Sequence, residues 1–294
     1  MSGLSPAPAY LGLDVGGTNV RLAVWNEGLP RTVATRPLPA DRRSFLTLVA
    51  ELVAPYRAAG LGIGLPGVAF DQHVTWVPNA PFLAGTDLIP DLAAMCRAPA
   101  FSANDAHTAL LAEARFGAAR DARVALLVSV GTGVGGGVLI AGRVFRGASG
   151  SAGSFGWMNL GLPDLEHPEH GQLELVGSGT ALAAAARGLG LTPQGLIAAA
   201  RAGQASAVAI VDELAHHLGV AFGTLASVFD PEIMLVAGGL SAEFDLLAPG
   251  ITAAVRRWAS PSGRTVPVAQ AALGPDAGAI GAAVLAKEGR TAFI

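Results

Sequence analysis

The feature that most constrains this chain is an apolar hairpin with a glycine turn, which occurs twice. In the first copy an apolar strand leads to Asp14, then to a turn at residues 16–19, then to a second apolar strand that ends at Trp25. Residues 124–140 repeat the pattern around the turn at residues 131–133. Two such hairpins about one domain length apart predict an internal duplication.

The glycine turns have the composition of phosphate-binding turns. Adjacent glycines let the backbone approach a ligand closely, and the free N–H groups of such a turn can bind phosphate oxygens. A third glycine pair follows the apolar strand 233–237 and opens a helix, where backbone amides attract anions. An ordinary hairpin turn is the alternative interpretation. The residues predicted to bind nucleotide or phosphate are Asp14, Gly16, Gly17, Thr18, Asn19, Gly131, Thr132, Gly133, Gly238 and Gly239. Asp14 is also predicted to hold Mg²⁺ through water.

The composition restricts the class of protein. Hydrophobic residues make up 51% of the 294 residues and charged residues 14%, so the chain can bury a large core. The formal net charge of −3 gives no basic excess for nucleic-acid binding. No apolar run of 18 residues lacks both charge and glycine, and residues 1–8 lack a basic signal region, so we expect a cytoplasmic protein without membrane contact. The single Cys96 excludes an internal disulfide and a multi-cysteine zinc site.

Strand and helix patterns alternate along the chain, which predicts an α/β fold with helices covering the sheets. A boundary near residues 118–122 separates two halves, and Ser44 is the expected N-cap of the first helix, which Gly60 would close. Beyond the hairpins, strands are predicted at 31–38, 61–65, 74–77, 100–102, 233–237 and 265–268. Helices are predicted from 44 to 58, from 86 or 87 to 96, and at 106–116, 180–187, 196–201, 205–229 and 276–287.

Asn104 and Asp105 lie where a predicted strand ends and a helix begins. Open α/β sheets bind their ligands at such strand ends, and a carboxylate there can accept a proton from a hydroxyl group. Aspartate is also a favoured helix N-cap, so a purely structural role is the alternative. Asn104 can bind a neighbouring hydroxyl or stabilise its own turn.

Other polar residues are weaker candidates. Glu174, which precedes Ser178-Gly179, is either a ligand for a sugar hydroxyl or a solvated acid near a helix start. Asn79 lies in a proline-rich loop, where asparagines usually stabilise turns. His167 and His170 lack further metal ligands nearby in the sequence, so we expect them to be exposed to solvent.

Seven short motifs occur in order across nearly the whole chain, and together they resemble the ROK family of sugar kinases and sugar-responsive repressors. Each motif alone is common, and their order makes the resemblance specific. They are Asp14-x-Gly-Gly-Thr18, Asn104-Asp105-Ala106, Val130-Gly-Thr-Gly-Val-Gly-Gly-Gly137, Ala152-Gly-x-x-Gly156, Gly171-x-Leu-Glu174 followed by Ser178-Gly179, Ala237-Gly-Gly-Leu-Ser241, and Asp276-Ala-Gly-x-Ile-Gly-Ala-Ala283.

The resemblance implies a two-lobed actin/hexokinase-like fold, a duplicated ribonuclease H-like α/β unit with ATP in the cleft between the lobes. Residues 1–118 would form the first lobe, with the C-terminal helix of about 276–294 packing back on it, and residues 119–275 the second. ATP and Mg²⁺ are the implied cofactors, and the family's catalytic base matches Asp105. The family's sugar contacts fall at Gly67, Asn79, Asn104, Asp105 and Glu174.

Two residues depart from the family pattern. The family usually has Gly-Glu-x-Gly-His where this chain has Gly153-Ser-Phe-Gly-Trp157, so Ser154 replaces a sugar-binding glutamate and Trp157 replaces a histidine that contacts sugar or zinc. The family's cysteine cluster is also absent, and residues 165–170 stand in its place. We therefore predict no structural zinc and expect free glucose to be a poor substrate. Trp157 either stacks on the sugar or fills the space of the lost metal site.

The function predicted from these features is ATP-dependent phosphorylation of a hydroxyl group on a hexose or amino-hexose derivative. Three alternatives remain: a repressor, a non-catalytic sugar-binding protein, and a kinase for a different acceptor. The first strand begins near residue 10, whereas family repressors carry a DNA-binding region before it, which disfavours the first. Retention of Asp14 and Asp105 disfavours the second. Homodimers are common in the family, but nothing in the sequence locates an interface.

Overall fold

The structure is a computed structural model that describes residues 7–70, 73–163, 165, 167 and 169–294. Most of the N-terminal stretch discussed above, residues 1–6, lies outside this range. Contacts within the chain define two compact units. Unit 1 comprises the chain up to Arg120 together with Arg143–Ala152 and Pro275–Ile294, and unit 2 comprises Asp121–Gly142 and Gly153–Gly274. The sequence placed Arg143–Ala152 in the second lobe, whereas contacts assign this segment to unit 1.

The two units are built from short strands and helices of ordinary length. The strands are β1 Ala9–Val15, β2 Asn19–Trp25, β3 Arg31–Pro37, β4 Ala58–Leu65, β5 Val68–Phe70, β6 His73–Trp76, β7 Ala100–Asn104, β8 Val124–Val130, β9 Val134–Ile140, β10 Arg143–Phe145, β11 Ile233–Ala237 and β12 Val268–Gln270. The helices are α1 Arg42–Val53, α2 Leu88–Cys96, α3 Asp105–Phe116, α4 Gln172–Gly177, α5 Gly179–Gly188, α6 Pro193–Arg201, α7 Ala205–Phe229, α8 Phe244–Trp258 and α9 Ala277–Glu288.

The sheet of unit 1 has the strand order β3-β2-β1-β4-β7. β1 pairs antiparallel with β2 and parallel with β4, and β4 pairs parallel with β7. The inward-facing side chains of these strands, among them Leu11, Leu13, Leu61 and Ile63, are fully buried. This burial fixes which face of each strand is turned to the core of unit 1.

Helix α9 packs directly on the sheet of unit 1 because the strands below it carry glycine. A Cβ on Gly62 in β4 would overlap the carbonyl oxygen of Ala282, and a Cβ on Gly12 in β1 would overlap that of Ala279. On its other side α9 contacts α3, where a Cβ on Gly281 would overlap the carbonyl of Thr108. The alanines and glycines of this helix therefore bring its backbone into contact with both elements.

The strands of unit 2 repeat the arrangement of unit 1. Their order within the unit is β9-β8-β11-β12, with β8 antiparallel to β9 and parallel to β11, which is parallel to β12. In each unit a hairpin is thus followed by two parallel strands. The repeated topology agrees with the duplication that the two glycine hairpins predict.

Helix α7 is long and apolar enough to cross a membrane by length and composition alone. Its residues Leu214, Leu218 and Phe222 are buried in the core of unit 2, and it packs against α6 and α8. A core helix passes the same test of length and composition, so α7 is weak evidence for a membrane span.

Several predicted boundaries were wrong by three or more residues, and those of α1 and β12 are examples. Helix α1 begins after Asp41, whose side chain accepts a hydrogen bond from the Ser44 amide at 2.9 Å, so Asp41 and not Ser44 is the N-cap. The helix ends at Val53, and Gly60 lies inside β4. β12 begins only at Val268, because the residues before it form a 3₁₀ turn over Gly263–Thr265.

Candidate active site

The polar motifs of unit 1 gather at one edge of its sheet. β1, β4 and β7 run parallel, so their carboxyl ends lie at the same edge, where α/β sheets bind ligands. The register places Asp14 beside Gly64 and Leu65 beside Asn104. Asp14, the turn after β4 and the start of α3 are therefore neighbours, as the strand-end argument predicts.

The sequence left open which of Asn104 and Asp105 caps the following helix, and in the structure Asn104 does. It is the N-cap of α3, and its Oδ1 accepts a hydrogen bond from the Ala106 amide at 2.9 Å. Its Nδ2 donates to the carbonyl oxygen of Gly67 at 2.9 Å, which ties the turn after β4 to the start of α3. Asp105 is the first residue of α3, so the helix does not need it as a cap.

The carboxyl group of Asp105 has the properties of a general base. Its Oδ1 accepts a hydrogen bond from the Ala106 amide at 2.8 Å, and the residue is partly buried. Burial and the nearby charge of Asp14 raise the pKa of Asp105 to about 7. A base whose pKa lies near the working pH is well suited to accept a proton in the transition state.

Asp14 is buried at the end of β1 and has the guanidinium group of Arg21 beside it. Burial raises the pKa of Asp14 to about 6, against the opposing effect of Arg21, whose Nη1 lies 3.4 Å from Asp14 Oδ2. Gly278 at the start of α9 leaves room for the carboxylate, since a Cβ there would lie 2.6 Å from Oδ1. A buried, incompletely neutralised carboxylate has the charge and the oxygen donors that Mg²⁺ prefers. Asp14 therefore fits a magnesium role.

The first glycine turn is open to solvent and held by its own backbone. The Gly16 amide donates to the Asn19 carbonyl at 2.8 Å, and Asn19 Nδ2 donates to Thr18 Oγ1 at 2.9 Å. Asn79 reaches this turn from its loop, and its Nδ2 lies 3.3 Å from the position that a Cβ on Gly17 would take. A larger residue at position 17 would compete with this contact.

The second glycine turn, in unit 2, borders an open cavity of about 490 Å³. Helix α5 begins against the turn: the Gly179 amide donates to the Gly131 carbonyl at 2.7 Å, and Thr180 Oγ1 donates to the Thr132 carbonyl at 2.8 Å. Gly238 has φ of 81° and lies against the Val130 backbone, a conformation and a spacing that suit only glycine. The cavity is lined by Gly131, Thr132, Gly179, Thr180, Ala183, Arg187, Gly239 and Leu240.

Glu174 lies against the second glycine turn. Its Oε2 accepts a hydrogen bond from the Val134 amide at 2.9 Å, and its Oε1 lies 2.6 Å from His170 Nδ1. A Cβ on Gly133 would overlap this carboxylate, so glycine there is required by the contact. In this structure Glu174 fixes the shape of the turn, and its predicted contact with a sugar stays a prediction.

The residues that depart from the family pattern are exposed. Ser154 is exposed, and Trp157, in the 3₁₀ turn Phe155–Trp157, has 58% of its surface accessible. His167 and His170 are exposed, as predicted. Within the described ranges no three His, Cys, Asp or Glu residues are grouped so that they could hold a metal. Residues 166 and 168, which belong to the segment that replaces the family's cysteine cluster, lie outside those ranges. The absence of zinc stays a prediction.

Sequence reasoning missed three residues that the structure brings to these sites. Arg21 points from β2 to Asp14, Arg187 adds positive charge to the cavity wall, and Trp76 packs beside Gly67. Arg21 could have been found from the antiparallel pairing of β1 and β2, in which it lies opposite Asp14. No local pattern marks the other two.

The repeated unit, a hairpin with a glycine turn followed by parallel strands, defines a protein of the hexokinase-like structural class. A solved structure of this class, the ROK family glucokinase of Streptomyces griseus in complex with glucose and AMPPNP, superposes with a TM-score of 0.79 at 30% identity, over 96% of this chain and 100% of that one. The ROK family model matches residues 10–289, and the chain belongs to this family. The fold and the family implied by the seven motifs are thereby confirmed.

Two curated relatives are similar over most of their length. A glucokinase of Streptomyces coelicolor is 32% identical over 95% of this chain and 97% of its own. An N-acetyl-D-glucosamine kinase of Aliivibrio salmonicida is 34% identical over 79% of this chain and 84% of its own. The relatives thus include kinases named for a plain hexose and for an N-acetylated amino-hexose.

Proposed function

We propose that this protein is an ATP-dependent sugar kinase that phosphorylates a hydroxyl group of a hexose or amino-hexose derivative. The observation that carries the proposal is the state of Asp105, a carboxyl group with a pKa of about 7 at a strand end, which α3 does not need as its cap. The relatives named as glucokinase and N-acetyl-D-glucosamine kinase support the reaction class. The net charge of −3 favours a small-molecule acceptor over nucleic acid.

The chain's own residues supply most of the chemistry. Asp105 accepts the proton of the attacking hydroxyl, because its pKa lets it be deprotonated near neutral pH and still hold the proton afterwards. The backbone amides of the two glycine turns bind phosphate oxygens. Arg187 and the start of α5 shape the cavity that takes the nucleotide.

Magnesium completes the proposed cofactor set. Asp14 would hold it, and when bound the ion neutralises charge on the phosphate oxygens. Arg21 lies beside Asp14 and balances part of its charge in the protein alone. This pairing keeps a buried carboxylate available at the strand end.

A non-catalytic sugar-binding protein is the competing proposal, because Ser154 and Trp157 differ from the family's sugar-binding pair. The exchange of Asp105 for asparagine separates the two. The variant keeps the size of the side chain, and Asn104 remains to cap α3. Loss of a positioned base lowers kcat by about 10²–10⁴-fold.

The experiment compares kcat for ATP-dependent sugar phosphorylation in the wild type and in Asp105→Asn, with sugar binding followed by calorimetry. We expect kcat to fall by two or more orders of magnitude while sugar binding changes little. Exposed Asp212 on α7 gives a matched control, since Asp212→Asn makes the same chemical change on an exposed helix position of unit 2. Activity near wild type in Asp105→Asn would show that Asp105 is not the base.

A further inference from the structure

Trp76 is an exposed tryptophan beside the residues that form the proposed acceptor site. It ends β6 and has 57% of its surface accessible, whereas Val74 and Val77 on either side are buried. A single exposed apolar residue is common in proteins and is not by itself a site. The position of Trp76 relative to Gly67, however, gives it a specific place.

Trp76 packs against Gly67, the residue that is also hydrogen-bonded to Asn104. Gly67 has φ of 122°, and a Cβ there would overlap the Trp76 carbonyl oxygen and lie 3.1 Å from Cε3 of the indole. The carbonyl oxygen of the same Gly67 accepts the hydrogen bond from Asn104, the residue before Asp105. The indole is thus separated from the start of α3 by a single residue.

The segment that follows Trp76 leads to the other side of the proposed site. Asn79, three residues later, lies beside Gly17 in the first glycine turn. Residues 76–79 therefore run from the Gly67–Asn104 contact to the phosphate-binding turn. A molecule whose hydroxyl reaches Asp105 would therefore lie near this segment.

We propose that Trp76 is a specificity-determining residue that packs on an apolar substituent of the acceptor, and that the preferred acceptor is an N-acylated hexosamine. The proposal rests on the function proposed above and names the substrate class of that site. An indole offers a broad apolar surface at low conformational cost, and an acyl methyl group on a sugar ring is a matching apolar group. Plain hexoses lack such a group and gain less from the contact.

The expected size of the effect follows from the partial exposure of the indole. One methyl or methylene group in an apolar pocket changes kcat/KM by about 10–200-fold, and a half-exposed contact falls at the low end of this range. We expect Trp76→Ala to raise KM for N-acetylglucosamine about tenfold and KM for glucose by less than threefold. KM for ATP should change little, because Trp76 does not line the cavity assigned to the nucleotide.

The test measures kcat and KM for N-acetylglucosamine, glucose and ATP in the wild type, Trp76→Phe, Trp76→Ala and Trp258→Ala. Trp258 is a matched control, since it is 52% exposed at the end of α8 and contacts Arg257. Trp76→Phe should keep most of the preference because it retains an aromatic face. Equal thermal unfolding temperatures for the variants show that the fold is kept.

Binding of both sugars, measured by calorimetry without ATP, separates this inference from the proposed function. If the wild type turns over no sugar but binds N-acetylglucosamine about tenfold more tightly than Trp76→Ala does, the kinase assignment fails and the role of Trp76 stands. If the kinase is active and Trp76→Ala keeps the wild-type KM for N-acetylglucosamine, the inference is wrong and the kinase assignment stands. A wild type that binds neither sugar overturns both.

Discussion

At the residue scale, the proposed chemistry depends on two carboxyl groups at one edge of a sheet, of which Asp14 is buried and Asp105 is partly buried. Asp14 and Asp105 each have a raised pKa, and the charge of Asp14 contributes to that of Asp105. The sequence could predict both residues, because each follows an apolar strand. It could not decide between base and cap for Asp105, since Asn104 and Asp105 are adjacent and both residue types cap helices; in the structure Asn104 is the N-cap of α3.

The raised pKa of Asp105 makes a prediction about stability. A carboxyl group with a pKa of about 7 in the folded chain and 3.8 in a model peptide binds its proton more tightly when folded. The folded state is therefore favoured below about pH 4, and this advantage is lost as the pH rises to 7. Above pH 7 the ionised Asp105 lowers the free energy of unfolding by about 1–3 kcal/mol, after allowance for its partial contact with solvent.

The variant Asp105→Asn should remove this penalty. We expect the free energy of unfolding, measured in urea, to exceed that of the wild type at pH 8 and to match it at pH 4. Asp212→Asn, on the exposed side of α7, is the matched control variant. A variant that is less stable than the wild type at pH 8 would mean that the Asp105 carboxylate is well stabilised in the folded chain.

At the element scale, the presence of α9 could be predicted from the sequence, but the reason for its composition could not. The apolar pattern of residues 276–287 predicts a helix, and the structure places it at Ala277–Glu288, within one residue at each end. The reason for its alanines and glycines appears only in the fold, where Gly12 and Gly62 lie under it. The N-cap of α1 was misassigned for a different reason: Asp41 and Ser44 are both good caps three residues apart, and local signals do not choose between them.

Replacement of Gly62 by alanine should weaken the packing of α9. The new Cβ would overlap the backbone of Ala282, so the helix has to move away from the sheet. We expect the free energy of unfolding to fall by about 1–3 kcal/mol or more. Gly135→Ala in β9 is the matched control, because a Cβ there meets no atom within 4 Å. Equal urea midpoints for the two variants would contradict the proposed glycine contact.

At the scale of the whole molecule, the sequence predicted the duplication but not that the segment Arg143–Ala152 belongs to unit 1. The two glycine hairpins indicate two like units, and both sheets have a hairpin followed by parallel strands. The return of Arg143–Ala152 to unit 1 depends on contacts with the chain end. Val144 pairs with Phe293, and the Ile294 amide donates to the Val144 carbonyl at 3.0 Å. Such pairing joins residues about 150 positions apart, and no local pattern reports it.

The most direct test of the central claim is the stoichiometry of phosphoryl transfer from ATP to sugars. Purified wild-type protein is supplied with ATP, Mg²⁺ and, one at a time, glucose, mannose and the N-acetylhexosamines, while ADP and sugar phosphate are quantified in the same samples. We predict equal amounts of ADP and sugar phosphate, with a higher kcat/KM for an N-acetylhexosamine than for glucose. Release of ADP without sugar phosphate, or no turnover with any of these sugars, would contradict the account.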